Sequence, residues 1–211
     1  RRDQLREGAL FGEASYDVTR TLTLTLGGRA FGSQLRTRSE ITINGPVRTF
    51  AGRTHQGGFA PKLMAAWRPA PGMTFYVQAA EGYRTAGFNT SGPAGQIFGA
   101  APGAPQPLRR YGGDELWNYE AGARWRSADL GLAVRVAAFR AEWRDIQADL
   151  ILPSGLPFTA NLGDGSSRGF EIEAAWSRGG FSVGGNLVRQ DPDLTRPAAG
   201  LPARDDTGLP G

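Results

Sequence analysis

The sequence predicts an all-β chain built as an antiparallel up-and-down transmembrane β-barrel, and three observations predict it. The first is a repeated ending. Alternating apolar runs close on Ala65-Ala66-Trp67-Arg68, Ala123-Arg124-Trp125-Arg126 and Ala174-Ala175-Trp176-Ser177-Arg178, with Tyr16-Asp17 in the equivalent earlier place. The aromatics Tyr16, Trp67, Trp125 and Trp176 are spaced by 51, 58 and 51 residues, so one unit of strand, tight turn, strand and long loop recurs. The second is the sorting of connections: short turns follow the aromatics and long ones fall on the opposite side. A girdle of aromatics at one lipid interface accounts for both. The third is charge parity. Glu13, Arg29, Lys62, Glu120, Arg124, Arg135, Glu171 and Glu173 all alternate with the Leu/Val/Trp positions. A charge facing lipid at midplane costs about 2–4 kcal/mol, enough to enforce that rule.

Eight strands in four hairpins follow. The first pair spans about 8–18 and 21–35 and turns near Asp17-Val18-Thr19-Arg20, with Leu22, Leu24 and Leu26 alternating with Thr21, Thr23 and Thr25. The second spans about 58–68 and 73–84; Pro69-Ala70-Pro71-Gly72 turns it, because proline cannot continue a ladder. The third spans about 116–126 and 130–146 through Ser127-Ala128-Asp129, and the fourth about 167–177 and 181–189 through Arg178-Gly179-Gly180. The connections 36–57, 87–115, 147–166 and 190 onward are rich in Gly, Pro and polar residues and are expected as long outer loops. The stretch 91–107, carrying Pro93, Pro102, Pro105 and Pro107, is expected to lack regular structure. Glu81, Arg140, Glu142 and Arg144 break the parity late in their strands. Either these strands continue above the lipid, or a β-bulge swaps their faces. About ten residues at 3.4 Å rise and 45° tilt already climb about 24 Å, the height of the apolar band, which favours continuation.

Composition narrows the function. The chain has 211 residues, no cysteine, one histidine and a net charge of +4. It opens at Arg1 and closes in Asp205-Asp206-Thr207-Gly208-Leu209-Pro210-Gly211, so we expect an internal piece of a longer protein. Without cysteine there is neither a disulfide framework nor a thiolate metal site. No run approaches 18 apolar residues, which excludes a membrane-spanning helix. The arginines are scattered, a solvated surface and lumen and no nucleic-acid footprint. No catalytic constellation is present. His55 falls in an expected outer loop, and Glu171 and Glu173 read as a lumenal carboxylate ladder paired with arginine. Neither a metal nor a cofactor is expected.

Four motifs carry a family resemblance. Phe59-Ala60-Pro61-Lys62-Leu63 with Tyr76 to Asn89 resembles the "SPKLG…YASYSRGFRAGGFN" stretch of TonB-dependent outer-membrane receptors. Glu115 to Trp125 resembles that family's "E-x-[LST]-x-x-Y-E-x-G-x-K" strand, with Arg124 for the common Lys. Ala138 to Gln147 is similar to "FYxxWKDIQ", with Arg144 for Lys, and Asn161 to Glu173 to "NAGxAxxxGxExE". The likeness runs from about residue 8 to 190 in the family's order. It implies a barrel of about 22 strands, of which about eight are here, holding an N-terminal plug domain. It also implies uptake of a scarce nutrient, usually a ferric siderophore and otherwise cobalamin, haem or a glycan, energised through TonB. Residues 1–211 are then part of one barrel domain, with plug and terminal strands elsewhere.

The resemblance implies a monomeric transporter, not an enzyme, in a Gram-negative outer membrane, in contact with lipid and lipopolysaccharide. Within it, the expected ligand surface is the outer loops and upper strands. Arg84, Phe88 and Asn89 follow one upper strand, and Arg109, Arg110 and Tyr111 precede another, close to Trp117. Aromatics beside arginines suit planar anionic ligands, through stacking and paired hydrogen bonds. The competing reading makes these aromatics an outer girdle and these arginines partners of lipopolysaccharide phosphates. Two other whole-protein readings stand open at this point: a passive porin-like channel and a soluble β-rich binding module.

Overall fold

The computed structural model describes residues 1–41, 48–90, 109–151 and 157–198. Among the described residues there are twelve strands, β1 (Arg2–Asp17), β2 (Leu22–Ile41), β3 (Arg48–Trp67), β4 (Met73–Arg84), β5 (Gly87–Phe88), β6 (Arg110–Tyr111), β7 (Asp114–Ser127), β8 (Leu132–Arg144), β9 (Gln147–Ile151), β10 (Pro157–Asn161), β11 (Gly163–Arg178) and β12 (Phe181–Pro197). Eight of them form one antiparallel sheet in the order β1-β2-β3-β4-β7-β8-β11-β12. This is an up-and-down meander with β1 and β12 as its edges. β5 pairs β6 and β9 pairs β10 as two small ladders at the upper ends of the strands.

The expected hairpins are present, but the strands run further than expected. The polar stretch 36–57, read as a loop, continues the β2–β3 ladder up to Ile41 opposite Arg48. The region 147–166, read the same way, holds the β9–β10 hairpin and the start of β11, and β12 extends to Pro197. The alternation there is polar on both parities, because neither face meets lipid. Thr37, Ser39 and Thr54 are buried on one parity while Arg36, Arg38 and Arg53 are exposed on the other. Residues 42–47, 91–108, 152–156 and 199–211 lie outside the described residues, and with them the whole proline-rich stretch 91–107 expected to lack regular structure.

The registers settle the parity question. Among the described residues the main sheet shifts register only between Asp164 and Ser166. β4, β7 and β8 pair without a break from Met73 opposite Trp125 to Glu115 opposite Arg144. Glu81, Arg140, Glu142 and Arg144 therefore share the face of Val77, Tyr119 and Val134. The bulge reading falls, and the strands continue past the apolar band.

The two faces differ as the alternation requires. On one, Leu10, Leu26, Leu63, Val77 and Trp67 stand exposed. On the other, ion pairs cross between strands: Lys62 to Glu13 at 2.7 Å, Arg29 to Glu7 at 2.6 Å and Arg135 to Glu173 at 3.4 Å. Tyr76 donates to Glu120 there, with Arg124 stacked 5.1 Å from its ring centre.

A single device closes the turns. The residue after each Trp donates its N–H to the carbonyl of a residue in the neighbouring turn: Arg68 to Thr21 at 2.7 Å, Arg126 to Gly72 at 2.8 Å and Ser177 to Gly131 at 2.8 Å. Gly72 and Gly131 have φ of 78° and 64°. A Cβ at Gly72 would sit 2.2 Å from the Arg126 carbonyl, and one at Gly131 2.0 Å from that of Ser177. Only glycine fits both the left-handed backbone and that approach.

Candidate ligand-facing loop cluster

The buried apolar residues above the sheet are Ala86, Phe88, Ile146, Phe158 and Ala160. They lie in the segments that join β4 to β7 and β8 to β11, and a polar frame ties these segments together. At its centre is Asp114, whose side chain is 2% exposed. Its carboxylate accepts Arg84 Nε at 2.9–3.0 Å and a second bond from the same guanidinium. It also accepts Trp143 Nε1 at 2.9 Å and the Gln147 backbone N–H at 3.0 Å. Arg84 lies 5.0 Å from the Trp143 ring centre and donates to the Gln147 carbonyl at 2.8 Å. Hydrogen bonding to Asp114 raises the Arg84 pKa above its ordinary value, with partial burial opposing. A buried carboxylate is tolerated because four donors and a cation compensate its lost hydration.

Four side-chain amides extend the frame. Gln147 Nε2 donates to the Thr85 carbonyl at 3.1 Å and the Gly112 carbonyl at 2.7 Å. Asn89 and Thr159 exchange two bonds, 2.7 Å from Asn89 Nδ2 to the Thr159 carbonyl and 2.9 Å from the Thr159 N–H to Asn89 Oδ1. Asn161 accepts the Gly112 N–H at 2.7 Å and donates to the Asp145 carbonyl at 2.6 Å. Asp145 itself has φ of 52°, a left-handed turn that aspartate tolerates, and its N–H is held by Asp164 at 3.1 Å. From β3, Gln56 accepts the Ala86 N–H at 2.7 Å.

Of the residues expected to meet ligand, five gather in one place. Phe88 pairs with Arg110, Gly87 with Tyr111, and the Asn89 N–H reaches the Arg109 carbonyl at 2.8 Å. Phe88 is buried against Phe50, with ring centres 5.4 Å apart, and the Arg109 guanidinium lies 5.2 Å from the Phe50 ring. Arg109 and Arg110 are exposed and Tyr111 half-buried, its ring over Gly87. Arg84 sits just beneath, bound to Asp114. Trp117 stands apart. It shares the face of Trp125 and stacks on Tyr119 with ring centres 5.9 Å apart. The other aromatics expected at an interface, Tyr16, Trp67, Trp125 and Trp176, are all exposed or nearly so at the short-turn end.

Sequence reasoning missed Asp114, Trp143, Gln147, Asn161, Gln56 and Phe50 as members of this cluster. A signal for three of them was present, since Trp143, Gln147 and Asn161 belong to the quoted motifs. Three of those motifs meet here, Ala86 to Asn89, Trp143 to Gln147 and Asn161 to Gly163, around Asp114, which directly precedes the fourth.

A family model described as TonB dependent receptor-like, beta-barrel, matches residues 1–211. The chain belongs to the TonB-dependent receptor β-barrel family. Curated relatives are the pesticin receptors of Yersinia enterocolitica, 26% identical over 143 residues, and of Yersinia pestis, 25% identical over 143. Each alignment covers 66% of this chain and 19% of the relative, so the chain spans about a fifth of those receptors. Among solved structures, the ferric yersiniabactin uptake receptor of Yersinia pestis aligns with TM-score 0.70 at 20% identity, over 90% of this chain and 27% of that one. A copper transporter aligns with TM-score 0.69 at 12% identity, over 92% of this chain and 30% of that one. The ferripyoverdine receptor of Pseudomonas aeruginosa aligns with TM-score 0.60 at 17%, over 93% and 24%. The structural likenesses establish the fold. The eight-strand sheet is a part of such a barrel, not closed within this chain, and the family is one of outer-membrane receptors in Gram-negative bacteria.

Proposed function

We propose that the full-length protein imports a ferric siderophore across the outer membrane, with energy relayed by TonB through a plug domain outside residues 1–211. The family match over the whole chain carries this reading. Three similar structures are receptors for ferric yersiniabactin, ferric catecholate and ferripyoverdine, which supports the siderophore class. Within it, residues 1–211 serve as one continuous part of a monomeric barrel of about 22 strands. The Leu/Val/Trp face meets lipid and the ion-paired face lines the lumen. Arg109, Arg110 and Tyr111 form the ligand-facing edge of the loop cluster. Exposed guanidinium groups beside a phenol recognise anionic, oxygen-rich chelates by charge and stacking. Phe88 and Asn89 hold that edge in place, and Arg84 with Asp114 fixes its base. The protein moves its ligand unchanged and catalyses no reaction.

Growth of a deletion strain on single sources of iron chelate, haem, cobalamin, copper or glycan tests the reading. We expect a defect on one or more ferric siderophores, reversed by the wild-type gene but not in a strain that also lacks TonB. Normal growth on every iron chelate, with a defect on another nutrient, would overturn the ligand class. Uptake unaffected by loss of TonB would favour a passive channel.

A further inference from the structure

Three strand pairs of the main sheet are joined by outer connections: β2–β3 through 42–47, β4–β7 through 85–113 and β8–β11 through 145–162. In each of them an inner-face aromatic stands directly opposite a glycine: Phe31 opposite Gly58, Tyr76 opposite Gly122 and Phe139 opposite Gly169. Higher in β8–β11, Trp143 opposite Gly165 is a second instance. The pairs β1–β2, β3–β4, β7–β8 and β11–β12 close through short turns. Among the described residues none of these four sets an aromatic opposite a glycine.

The rings lie down on these glycines. A Cβ at Gly122 would come within 2.6 Å of the Tyr76 ring, one at Gly169 within 2.6 Å of the Phe139 ring, and one at Gly58 within 3.0 Å of the Phe31 ring. Gly169 also borders the Arg189 carbonyl on its other side. Tyr76 is buried, and Phe31 and Phe139 are half-buried. Phe11, an inner-face aromatic of the short-turn pair β1–β2, faces Arg29 instead and is 75% exposed.

A short turn fixes the register of its own hairpin, and a long connection does not. A slip by one residue would carry the Leu/Val/Trp stripe into the lumen, so lipid forbids it. A slip by two keeps every side chain on its face, and lipid is blind to it. In β4–β7 that slip would bring Tyr76 over Glu120 or Arg124 in place of Gly122. In the observed register the ring rests on Gly122, its hydroxyl donates to Glu120, and Arg124 lies 5.1 Å from its centre. Floor, acceptor and cation coincide in that register alone. The same slip would set Phe31 opposite Gln56 or Ala60, and Phe139 opposite Ser167 or Glu171.

We propose that Phe31, Tyr76 and Phe139, each seated on the glycine across from it, set the register of the three strand pairs that no tight turn sets, and that Tyr76 thereby places Arg84 opposite Asp114. The β4–β7 pairing runs unbroken from Tyr76 to Arg84. A two-residue slip would set Arg84 opposite Gly112 or Leu116 and take the cation from the buried Asp114 carboxylate. Tyr76 is therefore a positioning residue for the base of the loop cluster. The inference rests on the strand registers and not on the identity of the transported ligand.

The test uses the full-length receptor assembled in outer membranes, with cysteine pairs introduced into residues 1–211, which have none of their own. Directly opposite residues lie about 4.5–5.5 Å apart, within disulfide reach, and positions two along lie about 7–8 Å apart, beyond it. Val77→Cys with Ala121→Cys therefore reports the observed register, and Val77→Cys with Ala123→Cys or Tyr119→Cys reports the two slipped ones. Mass spectrometry of the linked peptides quantifies each. We expect wild type and Tyr76→Phe, which keeps the ring, to form the in-register link alone. Tyr76→Ala should raise the slipped links roughly five-fold, the ratio that about 1 kcal/mol of cross-strand contact sets. Phe11→Ala, read by Ala14→Cys with Leu26→Cys against Leu24→Cys, should leave β1–β2 in register. Slipped links no more frequent in Tyr76→Ala than in wild type, an equal rise in Tyr76→Phe, or slippage in Phe11→Ala would each overturn the proposal. If Tyr76→Ala does not assemble, the exchange variant Tyr76→Gly/Gly122→Tyr decides. Assembly with the in-register link supports the proposal; slipped links or no assembled receptor overturn it.

Discussion

Arg84, the last residue of β4, grips Asp114, the first of β7, through two nitrogens of one guanidinium, across thirty residues of chain. The pair is lopsided: the Asp114 side chain is 2% exposed and that of Arg84 49%. The carboxylate depends on its partners more than the guanidinium does. Trp143 and Gln147 join from β8 and β9, so one carboxylate fixes the feet of both outer loop systems. The loops stand on a rigid base although the sheet carries little core of its own.

Removing Arg84 leaves a buried carboxylate with fewer donors, and removing Asp114 leaves Trp143 and Gln147 without an acceptor. Arg84→Ala, Asp114→Ala and the double variant should therefore be non-additive, with a coupling of about 1–3 kcal/mol. Denaturation of the full-length receptor measures it, and proteolysis of intact cells reports the loops. Single variants should be cut faster in the segment 85–113, and the double no faster than either. Additive effects would mean the pair does not act as a unit.

The loop edge separates two kinds of residue. Arg109→Ala and Arg110→Ala should weaken ligand binding while leaving outer-membrane level and melting unchanged, because both side chains are exposed. Trp117→Ala should do the reverse, since Trp117 stacks on Tyr119 on the opposite side of the wall from the lumen. Whole-cell ligand binding alongside receptor abundance distinguishes them. Reduced binding in Trp117→Ala at normal abundance would return Trp117 to the ligand surface.

The sheet was legible because lipid leaves a period-two record. Leu22 to Leu26 against Thr21 to Thr25 reads directly as a face, and the Trp67, Trp125 and Trp176 endings mark one level. Above the lipid that record stops. Arg36, Arg38 and Arg53 alternate with Thr37, Ser39 and Thr54, polar against polar, so hydropathy could not tell ladder from loop. The cluster was illegible for another reason. Its bonds join Asn89 to Thr159 and Asp114 to Arg84, 70 and 30 residues apart, and no spacing announces such partners. Arg84 looked like a free cation for ligand because its counter-ion lay across a loop. The motif residues Trp143, Gln147 and Asn161 were in view, but only the fold gives each a donor or acceptor role.

Face assignment has its own consequence. Val134 sits on the exposed apolar parity between Trp125 and Ala174, and Arg135 on the other, paired with Glu173. Val134→Arg should cost about 2–4 kcal/mol of membrane insertion and sharply lower the outer-membrane level. Arg135→Ala removes one exposed ion pair, worth about 1 kcal/mol at most. Immunoblots of outer-membrane fractions measure both. Near-normal levels for both would refute the lipid-facing assignment.

The turn glycines give a prediction independent of lipid. Gly72 and Gly131 occupy left-handed backbone, and the N–H groups of Arg126 and Ser177 reach their carbonyls. A methyl group at either site meets a carbonyl oxygen at 2.2 Å or less. The left-handed conformation alone costs a non-glycine residue about 1–3 kcal/mol, and the clash adds to it. Gly72→Ala and Gly131→Ala should each lower the melting temperature of the full-length receptor and slow its assembly. Gly12→Ala is the contrast. Its backbone is extended within β1, and an added methyl meets nothing within 4 Å. That variant should assemble and melt as the wild type does. Because the same N–H-to-turn bond recurs at Thr21, where no glycine is needed, the cost belongs to the backbone geometry of the Gly72 and Gly131 turns and not to the bond itself. Equal melting of all three variants would show that these turns relax to a right-handed form without penalty.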